Sequence, residues 1–275
     1  MAWTVARILR GLRKPGEITA LLFFAFFSSR LLGWQWDMFY SNTSQQDVRV
    51  MTFNVHLHSR EVPKALEMVQ ELKPDVIYFQ ENLGGDSSPA SYLRSKLDGW
   101  HMVQDGDVAI LSRWPLSNLH SSPLSSVPGR VILSAKVHAP HPFTGLTTHW
   151  SVPQWRQGME GLKRTVASQQ RDFDDTRNAV SSVVGPVIFG GDLNNPPNHS
   201  HVRTLSNEFQ NAFGKVGNGV GWTFPDRFPL VFPLVRIDHL FSSPEYVPVR
   251  CWVGPSAGSD HHSLIADFRW KSENH

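Results

Sequence analysis

The stretch Gly190-Gly191-Asp192-Leu193-Asn194-Asn195-Pro196-Pro197 follows directly on the apolar run Val187–Phe189. That run, introduced by Pro186, reads as a buried strand. A glycine pair, a carboxylate and, two positions on, an amide stand behind it, and a proline pair closes the corner. Taken alone, Asp-x-Asn after a strand is turn chemistry, because both side chains bond their own backbone. The glycines are expected to let the chain turn sharply and come close to a ligand. The corner gains meaning only if the same device recurs.

It recurs along the chain. Val48–Val55 alternates as a strand does and carries Asn54 near its end. Asp75–Glu81 reads as a buried strand and ends in Glu81, and Leu146–His149 ends in His149. Asp238 sits in the strand Arg236–Phe241, and Asp260 and His261 stand just before Leu264–Phe268. Each of these residues alone has an ordinary explanation as a turn former, a cap or a solvated loop residue. Together, on the edges of so many apolar strands, they are hard to produce by turn chemistry. Loops at one end of a rigid sheet are where catalytic groups collect.

Further strands are predicted at Val108–Leu111, Val131–Val137 and Val249–Val253. Ala65, Leu66, Val69 and Leu72 repeat at helical spacing and predict a helix over Glu61–Leu72. A longer polar helix is predicted over Gly158–Val183, stopped by Gly185-Pro186, and another over Val202–Phe209. Strands and helices mix without strict alternation, so two sheets with helices packed outside is the layered solution.

The chain has 275 residues, 40% hydrophobic and 18% charged, which is a globular composition with ample material for a core. Five of the 26 Lys/Arg and three of the 24 Asp/Glu fall in residues 1–47, which leaves 21 of each in the body. A body without net charge has no global electrostatic reason to seek a polyanion, so nucleic acid is not the favoured partner. A local basic patch remains compatible with this. The single cysteine, Cys251, excludes an internal disulfide and a Cys-based zinc site. It reads as a small hydrophobe in a strand.

Arg7, Arg10, Arg13 and Lys14 precede the largely apolar segment Ile18–Trp36. Its 19 residues approach the length of a membrane span. Arg30 costs roughly 2.5–3.5 kcal/mol at a bilayer centre, but it lies towards the distal end and can snorkel. We read residues 18–36 as an uncleaved signal anchor, with a cleaved signal peptide and a surface-lying helix as alternatives. The basic cluster predicts the N-terminus inside and the body on the extracytoplasmic side; cleavage would make the protein secreted. Ser41–Gln46 is a polar linker, so the predicted organisation is an anchor region, 1–47, and a catalytic domain, 48–275.

The motifs in order are MTFNV (51–55), IYFQEN (77–82), VAILSRWPL (108–116), TTHWS (147–151), GGDLNNPP (190–197), RIDHLF (236–241) and SDHHSL (259–264). Over about Val48–Phe268 this order resembles the endonuclease/exonuclease/phosphatase superfamily with the DNase I-like fold, in a membrane-anchored bacterial-type member. The resemblance implies an α/β (α+β) fold: a four-layer α/β/β/α sandwich, with two mixed β-sheets face to face and helices outside. It also implies a hydrolase that cleaves phosphate esters, as phosphodiesterase or phosphatase, with a divalent metal.

The residue types suit that chemistry independently. A hard cation, Mg²⁺ or Mn²⁺, takes carboxylate and amide oxygens and screens the charge on a phosphate. Glu81 is the best ligand candidate, Asn54 offers an amide oxygen, and Asp260 completes the set. In-line displacement by water needs a base and an acid, and histidine serves as either near neutral pH. By the resemblance, Asp238 orients His261 as base, and His149 is the acid or a phosphate donor. Asn194 holds a phosphoryl oxygen, and Asp192 orients the water or a histidine. Which of Asp192 and His261 takes the water's proton stays open.

Arg130 is a weaker candidate for contacting a phosphate, against a solvated strand-edge arginine. Trp222, in Trp222-Thr223-Phe224-Pro225, is a candidate substrate wall, against simple packing. His56, His58 and His262 read as surface or supporting residues. Some family members carry an acidic ligand where His56 stands, and some nuclease relatives a tyrosine where Trp150 stands. The expected partner is a phosphate ester, with phospholipid or another membrane-linked phosphate favoured. The alternatives are an anchored or secreted DNase I-like nuclease and a non-catalytic binding module.

Overall fold

The computed structural model describes residues 46–56, 62–83, 85–225 and 235–271. The expected membrane segment, residues 18–36, lies outside the described residues, as do His58 and all of the expected linker except Gln46. Among the described residues no helix is long and apolar enough to cross a membrane.

The chain runs β1 (Val48–Asn54), α1 (Val62–Leu72), β2 (Val76–Gln80), α2 (Pro89–Lys96), β3 (His101–Asp105), β4 (Val108–Ser112), β5 (Leu116–Pro123), β6 (Val131–Val137) and β7 (Phe143–His149). It continues through α3 (Gly158–Ser181), β8 (Val187–Asp192), α4 (Ser200–Glu208), β9 (Gln210–Asn211), α5 (Ala212–Val216), β10 (Asp238–Ser242), β11 (Tyr246–Val253) and β12 (Leu264–Trp270). The strands form two six-stranded sheets, ordered β11-β12-β1-β2-β4-β3 and β5-β6-β7-β8-β10-β9. Each sheet is antiparallel except for one inner pair. In the first, β1 and β2 run parallel on either side of the α1 crossover; in the second, β7 and β8 do so around α3. Parallel strands end at the same edge, so the registers Asn54↔Gln80 and His149↔Asp192 align polar residues at the carboxyl ends of both pairs.

Alternation along each strand assigns the faces. Val48, Val50, Val76 and Tyr78 of the first sheet share one core with Phe143, Ile188 and Leu240 of the second. The Tyr78 hydroxyl crosses that core and donates to the Ile188 carbonyl at 2.7 Å. The intervening residues Met51, Phe53, Ile77 and Phe79 face the other way, onto Ala65, Met68 and Val69 of α1 and Ala90 and Leu93 of α2. In the second sheet Leu146, Val187, Phe189 and Phe241 do the same against Phe173 and Val180 of α3 and Val202 and Leu205 of α4. Two sheets face to face with helices outside is the arrangement expected. Strands buried on both faces read as unbroken apolar runs, as Val187–Phe189 does.

The glycine pair departs from expectation. Gly190 and Gly191 lie inside β8 and pair on both sides, with β10 and with β7. A Cβ on Gly190 would stand 2.1 Å from the His239 carbonyl oxygen, and one on Gly191 2.0 Å from that of Thr148. The pair admits neighbouring backbone, and the corner comes later, with Asn194 at φ +49°.

The sequence pattern also missed α2, β3 and β5. Strands β3 and β5 are sheet edges with largely half-exposed or exposed residues, so they carry no apolar alternation. Helix α2 is short and starts at Pro89, with the Ser88 side chain accepting from the Ser91 amide as its cap. Helix α4 begins two residues earlier than the pattern indicated, at Ser200.

Candidate active site

The inner faces turn polar towards the carboxyl ends of the parallel pairs. Thr52 follows Val48 and Val50 on β1, Gln80 follows Val76 and Tyr78 on β2, and Thr147 follows Phe143 and Gly145 on β7. These three buried residues bridge the sheets. Thr52 Oγ1 donates to Gln80 Oε1 at 3.2 Å, and Gln80 Nε2 donates to Thr147 Oγ1 at 2.9 Å. One step further along the same faces stand Asn54, His149, Asp192 and Asp238, each buried.

Loops deliver the remaining groups. Glu81 follows β2 at φ +54°. A non-glycine residue pays roughly 1–2 kcal/mol for that left-handed conformation, and such strain persists mostly where a site requires it. The 259–261 loop is tied to β1. Ser259 Oγ donates to the Asn54 carbonyl at 2.8 Å and accepts from the His261 amide at 3.0 Å.

Asp192 is the hub. Its Oδ2 accepts from Asn54 Nδ2 at 3.1 Å and lies 3.6 Å from His149 Nε2 and 3.7 Å from His261 Nε2. Its Oδ1 accepts from the Asn194 amide at 2.8 Å. Each histidine is held from behind by a buried carboxylate. His261 Nδ1 bonds Asp238 Oδ2 at 3.0 Å, and His149 Nδ1 bonds Asp107 Oδ2 at 2.7 Å. Glu81 Oε1 accepts from Asn54 Nδ2 at 3.1 Å and lies 3.8 Å from His149 Nε2, while its Oε2 bonds His56 Nδ1.

The charges follow from this packing. Burial opposes the imidazolium of His261, but the Asp238 and Asp192 carboxylates outweigh it and push the group up to about 9. Burial lifts the Asp192 carboxyl above its ordinary value, aided by Asp238 and opposed by His261, His149 and the Asn194 amide. Burial also works against ionised Glu81, yet the bonds from His56 and Asn54 and the nearby His149 hold it below the usual range.

The structure therefore brings together Asn54, Glu81, His149, Asp192, Asp238 and His261. Asn194 adjoins them through Asp192 and gives one amide hydrogen to the Trp150 carbonyl at 3.0 Å, which leaves its second. Asp260 is half-buried beside His261, and its Oδ1 is buried without a partner. Arg130 is not a solvated strand-edge residue: its side chain is 18% exposed, its Nε lies 3.5 Å from Asp107 Oδ2, and its Nη1 donates to the Trp150 carbonyl that Asn194 also bonds. Trp222 lines a separate cavity with Phe213 and Trp252. The aromatic ring on His261 is Phe224, 4.7 Å away. His262 bonds the Gly254 carbonyl through Nδ1 at 2.9 Å.

Sequence reading missed Asp107, which sits between β3 and β4 in Asp105-Gly106-Asp107 and looks like an ordinary hairpin turn. The same holds for Ser259 and Thr223; the Thr223 hydroxyl accepts from the Ile237 amide at 3.2 Å at the mouth of β10.

The donor set fits a hard divalent cation. Ligand atoms of Asp192, Asp238 and His261 lie within 4.8 Å of one another, and Asp238 Oδ1 is buried without a hydrogen-bond partner. Glu81 adds an ionised carboxylate on the other side of Asn54. Carboxylate oxygens are what Mg²⁺ and Mn²⁺ take; Asn54 instead turns its Nδ2 to Glu81 and Asp192, while its Oδ1 accepts from the His56 amide at 3.2 Å.

Residues 51–261 match the sequence model of the endonuclease/exonuclease/phosphatase family. The chain belongs to that family. Among curated proteins none matches the sequence. Solved structures of the endonuclease/exonuclease/phosphatase family share the fold. The 3' phosphatase NExo from Neisseria, bound to product DNA hairpin, superimposes with a TM-score of 0.67 at 21% identity, over 81% of this chain and 100% of its own. An endonuclease/exonuclease/phosphatase from Bacteroides vulgatus gives 0.67 at 18% identity, over 82% and 100%. An AP endonuclease from Archaeoglobus fulgidus gives 0.63 at 22% identity, over 80% and 99%.

Proposed function

We propose that the chain is a divalent-metal-dependent phosphoric ester hydrolase. One observation carries the reading: two carboxylate-held histidines, one from each side, aim Nε2 at the same Asp192 oxygen, at 3.6 and 3.7 Å. A reacting phosphate placed there meets donors on both sides and a carboxylate between them. Family membership supports the reaction class.

Glu81 and Asp260 would hold the cation, joined by Asn54 once its amide turns its oxygen inward; when bound, the ion supplies charge neutralisation for the phosphate. Asp192 takes the proton of the attacking water. Burial raises its affinity for a proton, and the cationic His261 beside it is poorly suited to accept one. His261, fixed by Asp238, donates Nε2–H to a phosphoryl oxygen. His149, fixed by Asp107, presents Nε2 to the leaving oxygen and protonates it in its imidazolium form. The free amide hydrogen of Asn194 orients a phosphoryl oxygen.

We further propose that residues 18–36 tether this domain to a membrane with the catalytic body on the extracytoplasmic side, and that the substrate is a phospholipid or another membrane-linked phosphate ester. The basic residues ahead of Ile18 and the neutral body support this. A nuclease is the second reading, favoured by the DNA-bound and AP-endonuclease relatives.

The purified full-length chain with Mg²⁺ or Mn²⁺, given plasmid DNA, phospholipids, sugar phosphates and a chromogenic diester, tests the activity. Turnover that Glu81→Ala and His261→Ala leave untouched removes the mechanism. Fractionation of cells expressing the full chain tests the tether: recovery in the soluble cell extract excludes it.

A further inference from the structure

Beyond the catalytic cluster, α4, α5 and the segment leading into β10 enclose a second cavity of about 290 Å³. Its lining includes Arg203, Ser206, Asn211, Lys215 and Arg236, three cations among them, and no carboxylate. Arg236 is 1% exposed. Its Nη1 donates to the Val220 carbonyl at 2.9 Å and its guanidinium lies 4.1 Å over the Phe213 ring, but its buried Nε has no partner. Among the described residues no carboxylate pairs with Arg203, Lys215 or Arg236. A buried cation ordinarily sits against an anion, because taking it out of water unpaired is costly. A guanidinium is not deprotonated in proteins, so the demand for an anion persists.

The wall around it is already fixed. Asn211 Nδ2 donates to Ser206 Oγ at 3.2 Å, and its Oδ1 accepts from the Gly214 amide at 2.9 Å. Charged donors are the strong binders of phosphate oxygens, and the exposed Arg203 and Lys215 add positive charge to the same cavity. The Leu193 amide bonds the Ile237 carbonyl at 2.9 Å, so Arg236 stands just past the end of the β8–β10 ladder that carries Asp192 and Asp238.

We propose that this cavity is a phosphate-group subsite, distinct from the catalytic cluster and served by Arg203, Lys215 and Arg236. The group is either a second phosphate on the substrate or free phosphate. The subsite itself does not depend on the activity proposed above.

Calorimetric titration of the full-length chain with inorganic phosphate, in chelator, tests it. The expected result is saturable binding, weakened about tenfold or more in the double variant Arg203→Gln/Lys215→Gln, which loses two charge-assisted bonds. Both residues are exposed, and circular dichroism melts check that the variant folds. Binding must survive His261→Ala. No saturable binding, binding indifferent to the double variant, or binding lost with His261→Ala overturns the proposal.

A kinetic arm, which alone rests on the proposed activity, compares esters carrying one and two phosphates. A kcat/KM loss confined to the second assigns the pocket to substrate. Unchanged turnover of both assigns it to free phosphate, and equal loss on both overturns the subsite.

Discussion

Asp107, in the β3–β4 turn of one sheet, holds Nδ1 of His149, the last residue of β7 in the other, at 2.7 Å. Arg130 stands behind Asp107 and anchors to the carbonyl that follows His149. The ring of His149 is therefore aimed by the opposite layer of the sandwich.

Asp107→Asn keeps the shape and removes the charge that fixes the tautomer. We expect kcat on a chromogenic phosphate ester to fall by roughly 10²–10⁴, the range for a lost acid–base function, with KM little changed. Steady-state kinetics checks this, and a wild-type kcat would show that the Asp107 charge does not position His149 for the reaction.

The site was legible where a polar residue continued the inner face of an apolar strand. Asn54 follows Val48 and Val50, Asp192 follows Ile188, and Asp238 precedes Leu240, all at even spacing. Asp107 broke that rule, since a turn residue's partner is set by sheet packing and not by its neighbours in sequence. Gly190 and Gly191 were misread for a related reason: a glycine needed at a corner and one needed between close strands look alike in sequence. Trp222 was preferred over Phe224 because only the chain's path around residue 223 decides which ring meets His261. The edge strands β3 and β5 lack an apolar face to read.

His261 is raised from 6.5 to about 9. A raised imidazole contributes stability that is complete below its unfolded value and is lost as pH climbs through its folded one. In chelator, melting temperature should therefore fall between about pH 7 and 10 by several degrees, the scale of a few kcal/mol in a domain of this size. Asp238→Asn removes the main cause and should flatten that fall. An equally steep decline in the variant refutes the pairing as its source.

Alanine at Gly190 or Gly191 meets backbone oxygen at 2.1 or 2.0 Å, so the strands must separate. We expect a cost of roughly 3 kcal/mol or more, seen as a lowered urea midpoint. A shift below about 1 kcal/mol would mean that β8 relaxes freely.

Mg²⁺ or Mn²⁺ should raise the melting temperature of the full chain, and chelator should reverse it. Binding at a hundredfold excess over Kd stabilises by about 2.7 kcal/mol. Glu81→Gln loses the ionised carboxylate and should abolish most of the rise. Identical metal response in wild type and variant would place the ion elsewhere.

The chain builds β1 to β4 in one sheet, crosses for β5 to β10, and returns with β11 and β12. Asn54 and Ser259, bonded directly, lie 205 positions apart. A nascent or proteolytically shortened chain that stops before residue 261 thus holds the first instruments of the reaction without the last. Under the proposed chemistry, the last-made segment is therefore the one that completes the pair of histidines.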